Sequence, residues 1–231
     1  MLIPPVDLEW RDTELVLDER VVKGAPDVPP DGGLGTRIRL GIPVCRSMLD
    51  VATDLAAADP GFTYTLVELG ATFSPAHGER ILQAWLMATL SVPGAEGGPA
   101  AQVSSPAIAW SMTPDRLSTP LSQSLGVEVS ADFQIFSVGL NRNRSTEGSE
   151  IWLEALNIRC HDPVWEFTQT STTRVYGGHT LNLMVRSPAG TPVQGRLSLL
   201  ATVQRRRLKV LPYRILLGDS DDAGAFEVSR G

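Results

Sequence analysis

The sequence predicts an all-β protein, a two-sheet antiparallel β-sandwich with one short helix, and three observations carry that prediction. Apolar residues recur at every second position in Leu181, Leu183 and Val185, and again in Leu197, Leu199, Ala201 and Val203, with Arg196, Ser198, Thr202 and Gln204 between them. Successive side chains on a strand point to opposite faces, so a period of two describes strands that bury one face and wet the other. The 21 Gly and 17 Pro punctuate the chain every few residues, as many short strands and turns require. At 231 residues the chain suits one large β domain, for which about 200–250 residues is common.

That domain is expected to span 1–218, with peripheral strands, a linker and the helix in 1–60, and the main β region in 61–218. Val6 to Val22 reads as one or two strands, with Leu15, Leu17 and Val21 among acids. The run Gly24-Ala25-Pro26-Asp27-Val28-Pro29-Pro30-Asp31-Gly32-Gly33 is a loop or linker. Arg37 to Ile42 alternates as a strand whose arginines face water. Met48, Val51, Ala52 and Leu55 recur at helical spacing between Ser47, a capping residue, and the stop Asp59-Pro60-Gly61, which predicts a helix near Met48 to Ala57.

Phe62 to Gly70 opens the main region, and Ser74-Pro75-Ala76-His77-Gly78 turns it into Arg80 to Val92. Leu82, Ala84, Leu86, Ala88 and Leu90 share one face there while Trp85 and Met87 are apolar on the other, the mark of an interior strand. After Ile108-Ala109-Trp110, Pro114 and Pro120 predict an irregular stretch. Leu125, Val127, Val129, Ala131, Phe133 and Ile135 form the longest clean alternation, which changes phase at Ile135-Phe136 as a bulge would make it do. Asn141 to Ser149 is a polar turn, and Glu150 to Cys160 returns with Trp152, Leu156 and Ile158 on one face. Leu181 to Arg186 and Leu197 to Val203 are expected to pair as a hairpin across Ser187 to Pro192. The acidic end, 219–231, reads as a disordered tail. Leu66, Leu86, Val127, Phe133, Leu156, Leu183, Leu199 and Val203 are the expected core, together with the rings of Trp10, Trp85, Trp110, Trp152, Trp165 and Phe167.

Glu68-Leu69-Gly70-Ala71-Thr72-Phe73-Ser74-Pro75, followed by Trp165-Glu166-Phe167, Gly177-Gly178 and Leu181-x-Leu-x-Val185, resembles a group of uncharacterised β-rich proteins of bacteria and fungi. The resemblance covers roughly Phe62 to Leu217. It rests on turn and core positions and transfers no functional residue, and the distribution of the group implies a role in biological conflict or signalling.

Function has to be read mostly from what is missing. A net charge of −6 argues against nucleic acid as a partner, because phosphate binding usually needs a basic face. All of the 20 basic residues except Lys23 and Lys209 are arginine, a bias of composition. Arg205, Arg206, Arg207 and Lys209 form a compact basic cluster. Arg205 and Arg207 fall on the buried phase of their strand, so the strand should reach the sheet rim there, where charges discourage edge pairing. With Arg142 and Arg144 on the polar turn, these are the candidate binding residues.

Cys45 and Cys160 are too few for a disulfide scaffold and are expected as buried free thiols. Cys160-His161-Asp162 with His77 or His179 matches no metal-ligand spacing, and neighbours on a strand face opposite ways. Gly33-Leu34-Gly35 lacks the third glycine of a dinucleotide fingerprint, and no Gly-x-Ser-x-Gly elbow occurs. Asn143-Arg144-Ser145 fits a glycosylation sequon that an intracellular protein would not use. Met1-Leu2-Ile3-Pro4-Pro5 has no signal-peptide pattern, so a cytoplasmic location is expected. No metal or cofactor is expected. The leading expectation is a non-enzymatic module that binds a protein partner through a sheet face or edge. The alternatives are a membrane-inserting β-hairpin effector using 125–160, and an enzyme of unrecognised type.

Overall fold

The computed structural model describes residues 8–13, 15–17, 36–48, 59–92, 107–120, 149–207, 211–219 and 225–229. In chain order the strands are β1 (Trp10–Thr13), β2 (Leu15–Leu17), β3 (Arg37–Gly41), β4 (Val44–Ser47), β5 (Phe62–Ser74), β6 (Glu79–Ser91) and β7 (Ile108–Thr113). They continue with β8 (Arg116–Pro120), β9 (Ser149–Leu156), β10 (Val164–Thr168), β11 (Gly177–Pro188), β12 (Val193–Arg207), β13 (Leu211–Asp219) and β14 (Ala225–Ser229). All pairings are antiparallel and no helix occurs among the described residues. The expected helix falls on residues outside them, except for Met48, whose buried side chain follows β4 and whose N–H donates to Tyr64 O at 3.0 Å.

A six-stranded sheet runs β1-β3-β5-β11-β7 with β4 also on β5, and an eight-stranded sheet runs β2-β13-β12-β6-β10-β9-β8 with β14 also on β12. In each sheet one long strand is flanked along a single edge by two shorter ones in succession. β3 covers Ala71–Ser74 of β5 and β4 covers Thr65–Glu68, the register slipping by one residue across Ile42-Pro43. Likewise β13 pairs with β12 from Leu200 onward, and β14 pairs with Val193–Arg196. The end expected as a disordered tail thus contributes a strand, with Val228 buried in the core.

The expected hairpin between Leu181–Arg186 and Leu197–Val203 does not form. β11 lies between β5 and β7 in one sheet and β12 between β6 and β13 in the other. The turn, with Gly190 at φ 73° and Thr191 N–H donating to Pro188 O at 3.2 Å, is therefore an arch that carries the chain across the core. Alternation fixes which face a strand buries, and two apolar faces are covered equally well by pairing in one sheet or by facing each other across two. β5 and β6 make a second arch of the same kind, β5 pairing with β11 and β6 with β12.

The core between the sheets joins Val67, Leu69, Ala71 and Phe73 of β5 to Ile81, Ala84, Leu86, Ala88 and Leu90 of β6. Leu183 and Leu199 come from the second arch, and Trp165 and Phe167 from β10. The expected core residues Leu86, Leu183, Leu199 and Val203 are there, whereas Leu66 is buried on the opposite face of its sheet with Met48, Tyr64 and Met184. Val127 and Phe133 lie outside the described residues. Leu156 is 36% exposed, because Leu153 and Ala155, the partners of Phe167 and Trp165, carry the buried phase of β9. Trp10 is 46% exposed, and Trp110 is half-buried on the outer face of the six-stranded sheet. The prolines did not prevent β8, which forms the edge strand with Pro120 as its last residue.

Gly195 on β12 sits opposite Phe226 of β14, and a Cβ there would overlap the phenyl ring. A glycine in a strand is a cost offset here by the phenyl ring occupying the space a side chain would take. Gly195→Ala is expected to push Phe226 off and destabilise by about 1–3 kcal/mol, as overpacking does. Proteolysis at the C-terminus should accelerate in parallel, and an unchanged cleavage rate and melting temperature would refute this placement of Phe226.

Candidate functional site

The β8 end of the eight-stranded sheet, the last strand there among the described residues, is one locus with an unusual construction. β8 has β9 as its partner in this sheet, and their pairing runs from Arg116↔Glu154 to Pro120↔Ser149. The register shifts between Leu117 and Ser118, which leaves Trp152 as the extra residue on β9. A bulge re-aims a side chain. Trp152 here packs against the core and against His179 of β11, ring centroids 5.6 Å apart.

A loop between β10 and β11 fastens this edge. Glu150 Oε2 accepts from Ser171 N–H and Ser171 Oγ, both at 2.7 Å, and Thr119 Oγ1 and Thr173 Oγ1 share a hydrogen bond of 2.7 Å. The side-chain and backbone bonds from Ser171 hold the Glu150 carboxyl below the usual carboxylate range. Both ties act one residue from Pro120 and Ser149, the described residues that flank 121–148.

His179 lies at the same end among Phe73, Phe167 and Trp152, with centroids 5.2–5.7 Å away, and its Nε2 is buried without a hydrogen-bond partner. Burial pulls its pKa down, opposed by a bond to the Tyr176 backbone, so the ring is neutral at pH 7. Cys45, half-buried and beside Glu227, has its thiol pushed up to about 11 and is no nucleophile. Cys160 is exposed rather than buried, and neither cysteine is in a disulfide. Among the described residues no group of three His, Cys, Asp or Glu could hold a metal ion.

The predicted basic cluster is divided. Arg205 pairs with Glu79, the first residue of β6, so β12 does reach the rim of β6 there. It then runs on through Arg206 and Arg207 as a two-stranded ribbon with Pro212 and Leu211 of β13. Lys209, Arg142 and Arg144 lie outside the described residues, as does the alternating run Leu125 to Leu140. The second half of the expected hairpin, Glu150 to Leu156, is β9 and belongs to the sandwich.

Sequence reasoning missed a cation-aromatic cluster on the outer face of the six-stranded sheet. The Arg159 guanidinium lies 3.3 Å over the Trp110 ring, and that of Arg186 lies 3.3 Å over Phe62 and 5.2 Å from Trp110. Asp59 Oδ2 accepts from Arg186 Nε at 3.1 Å and Nη2 at 2.5 Å. Tyr64 stands edge-on to Trp110 at 5.7 Å. Asn157, in a turn-forming stretch before Arg159, was the only local signal.

No family model matches the chain, and no curated protein matches it. Among solved structures, Clostridium perfringens delta-toxin aligns over 97% of this chain and 90% of its own, at 10% identity and a TM-score of 0.30. At that score the likeness carries no argument about function. No helix among the described residues is long and apolar enough to cross a membrane, which leaves strands as a separate question.

Proposed function

We propose that the protein is a membrane-inserting β-hairpin effector whose hairpin is supplied by 121–148. The observation that supports this is the pair Pro120↔Ser149, which makes β8 and β9 an antiparallel base at a sheet edge from which a hairpin can grow without disturbing an interior strand. Continued at that register in the inserted form, the arms turn at Gln134-Ile135. Val129, Ala131 and Phe133 then fall opposite Leu140, Val138 and Phe136 on one face. The change from odd to even apolar positions at Ile135-Phe136 is what a two-residue turn requires if both arms are to keep the same face apolar.

Glu128, Ser130 and Asp132 with Ser137, Gly139 and Asn141 make the other face polar, as a barrel lumen is. From the turn back to Leu125 and Arg144 each arm offers the about 9–11 residues that a tilted membrane strand needs. Arg142 and Arg144 then end the apolar face at headgroup level. Glu154, which would place a charge in a hairpin ending at Cys160, stays in β9 near Arg116, 3.8 Å away.

Dye-filled vesicles test the proposal. The protein should release dye, and Val129→Asp should slow release at least tenfold with an unchanged melting temperature, because a carboxylate at mid-membrane costs a few kcal/mol. Absence of release at every lipid composition would sink it. A protein-binding module is the second reading, favoured by Trp10 and Ile42, which remain 46% and 43% exposed on the six-stranded sheet's side.

A further inference from the structure

The Trp110 cluster is held by three departures from regular backbone. β7 is the edge of its sheet, and its pairing with β11 skips from Met184↔Ser111 to Val185↔Ala109, so Trp110 is a bulged residue. The loop after β9 docks on β7 beside this bulge, Arg159 N–H donating to Ala109 O at 2.8 Å and Ala109 N–H to Cys160 O at 2.9 Å. To do so it holds Asn157 and Arg159 at φ 57° and 75°, left-handed conformations that ordinary side chains rarely adopt. Asn157 Nδ2 donates to Asp162 O at 3.1 Å across the same loop. Strain of this kind persists where the surroundings over-determine it, and it concentrates at binding sites.

What this backbone delivers is an exposed guanidinium laid on an indole. Asp59 is the ion-pair partner of Arg186, at 2.5 Å, whereas Arg159 has no carboxylate partner among the described residues. Among the described residues, two guanidiniums and one carboxylate leave a local positive surplus on a chain of net charge −6. A guanidinium stacked on a ring keeps its N–H fork pointing outward in its own plane, the geometry that receives an oxyanion by paired hydrogen bonds. A tetrahedral oxyanion presents oxygens in several directions, which the Arg159 fork and the Arg186 N–H groups not donated to Asp59 can share.

We propose that Arg159 and Arg186, seated on Trp110 and Phe62, form a binding site for a phosphate group. Leu156 at the end of β9 and Ile158 in the loop after it, 36% and 39% exposed, suit a phosphate carried by a lipid headgroup. That source rests on the membrane reading, while the phosphate site itself does not.

The test uses the full chain and three probes: inorganic phosphate by calorimetry, and sedimentation with vesicles of phosphatidylcholine and phosphatidylglycerol or of phosphate-free digalactosyldiacylglycerol. Phospholipid vesicles should carry the protein down and galactolipid vesicles should not. Arg159→Gln should weaken phospholipid binding tenfold or more, and Arg159→Lys should recover only part of it, since an ammonium keeps the charge and loses the fork. Phosphate binding that depends on Arg159, without vesicle binding, would uphold the site and assign it a water-soluble phosphate. Unchanged affinity of Arg159→Gln for both probes overturns the proposal. If that variant melts early, Arg159→Lys is scored, and wild-type affinity there overturns it equally. Val129→Asp should still sediment with phospholipid vesicles while releasing dye at least tenfold more slowly, so failure of the hairpin and failure of the site give different results.

Discussion

Replacing Trp165 by alanine is expected to remove about 3–5 kcal/mol of folding stability, the range for deleting a buried aromatic. The ring is wholly buried, its strand neighbours are Leu86 on β6 and Ala155 on β9, and its Nε1 donates to Pro114 O at 3.1 Å. Pro114 lies where the chain passes from β7 in one sheet to β8 in the other, so the indole fills the core and also satisfies the crossing. Trp165→Phe keeps most of the volume and loses the bond, and should cost less, about 1–3 kcal/mol for the unsatisfied carbonyl. Urea unfolding with a common slope measures both. A melting temperature unmoved by Trp165→Ala would refute the burial of this ring in the core.

Acid should loosen the fold from about neutral pH downward, and His179 is the residue to blame. Burial holds its folded pKa below the ordinary imidazole value of 6.5, against the bond to the Tyr176 backbone. Once the pH drops below the unfolded value, the unfolded chain binds a proton that the caged ring refuses. Stability is therefore full above that value and declines as the pH falls below it, by at most about 1.4 kcal/mol per pH unit for one proton, until the folded ring titrates too. Glu150, also lowered, acts in a more acidic window, because its contribution is present above 4.5 and lost as the pH falls through its folded pKa. Urea midpoints between pH 7.5 and 5 should slope for the wild type and flatten in His179→Phe. Equal slopes would show that the ring takes up its proton in place.

The sandwich was legible because alternation is a local signal. Leu183, Leu199 and Val203 announce a buried face from their own neighbours alone. Which strand lies beside which is not local, and there the sequence misled: Leu181–Arg186 and Leu197–Val203 face each other across the core, and Pro120 ends a strand where an irregular segment was expected. Acidity at the C-terminus hid β14, whose place depends on Gly195, thirty residues upstream, having no side chain. The candidate sites were less legible still. Trp110 and Trp152 owe their orientation to bulges that arise only when β7 meets β11 and β9 meets β8. Arg159 reaches Trp110 through a left-handed turn that no composition rule anticipates.

The two arches also set the order in which the molecule can come into being. β5 and β6 are made early, but β6 lacks β10 until the chain reaches Thr168, β5 lacks β11 until Pro188, and β6 lacks β12 until Arg207. Pairings so distant in sequence are slow to close, since the entropy of the intervening loop is lost before any contact compensates it. A nascent chain halted before β11 would lack Leu181, Leu183 and Leu199 from the core that Val67, Leu69 and Phe73 share with β6 and β10. The first arch therefore waits for its partners through the making of everything from β7 to β12, and assembly is a late event in which the second arch closes over the first.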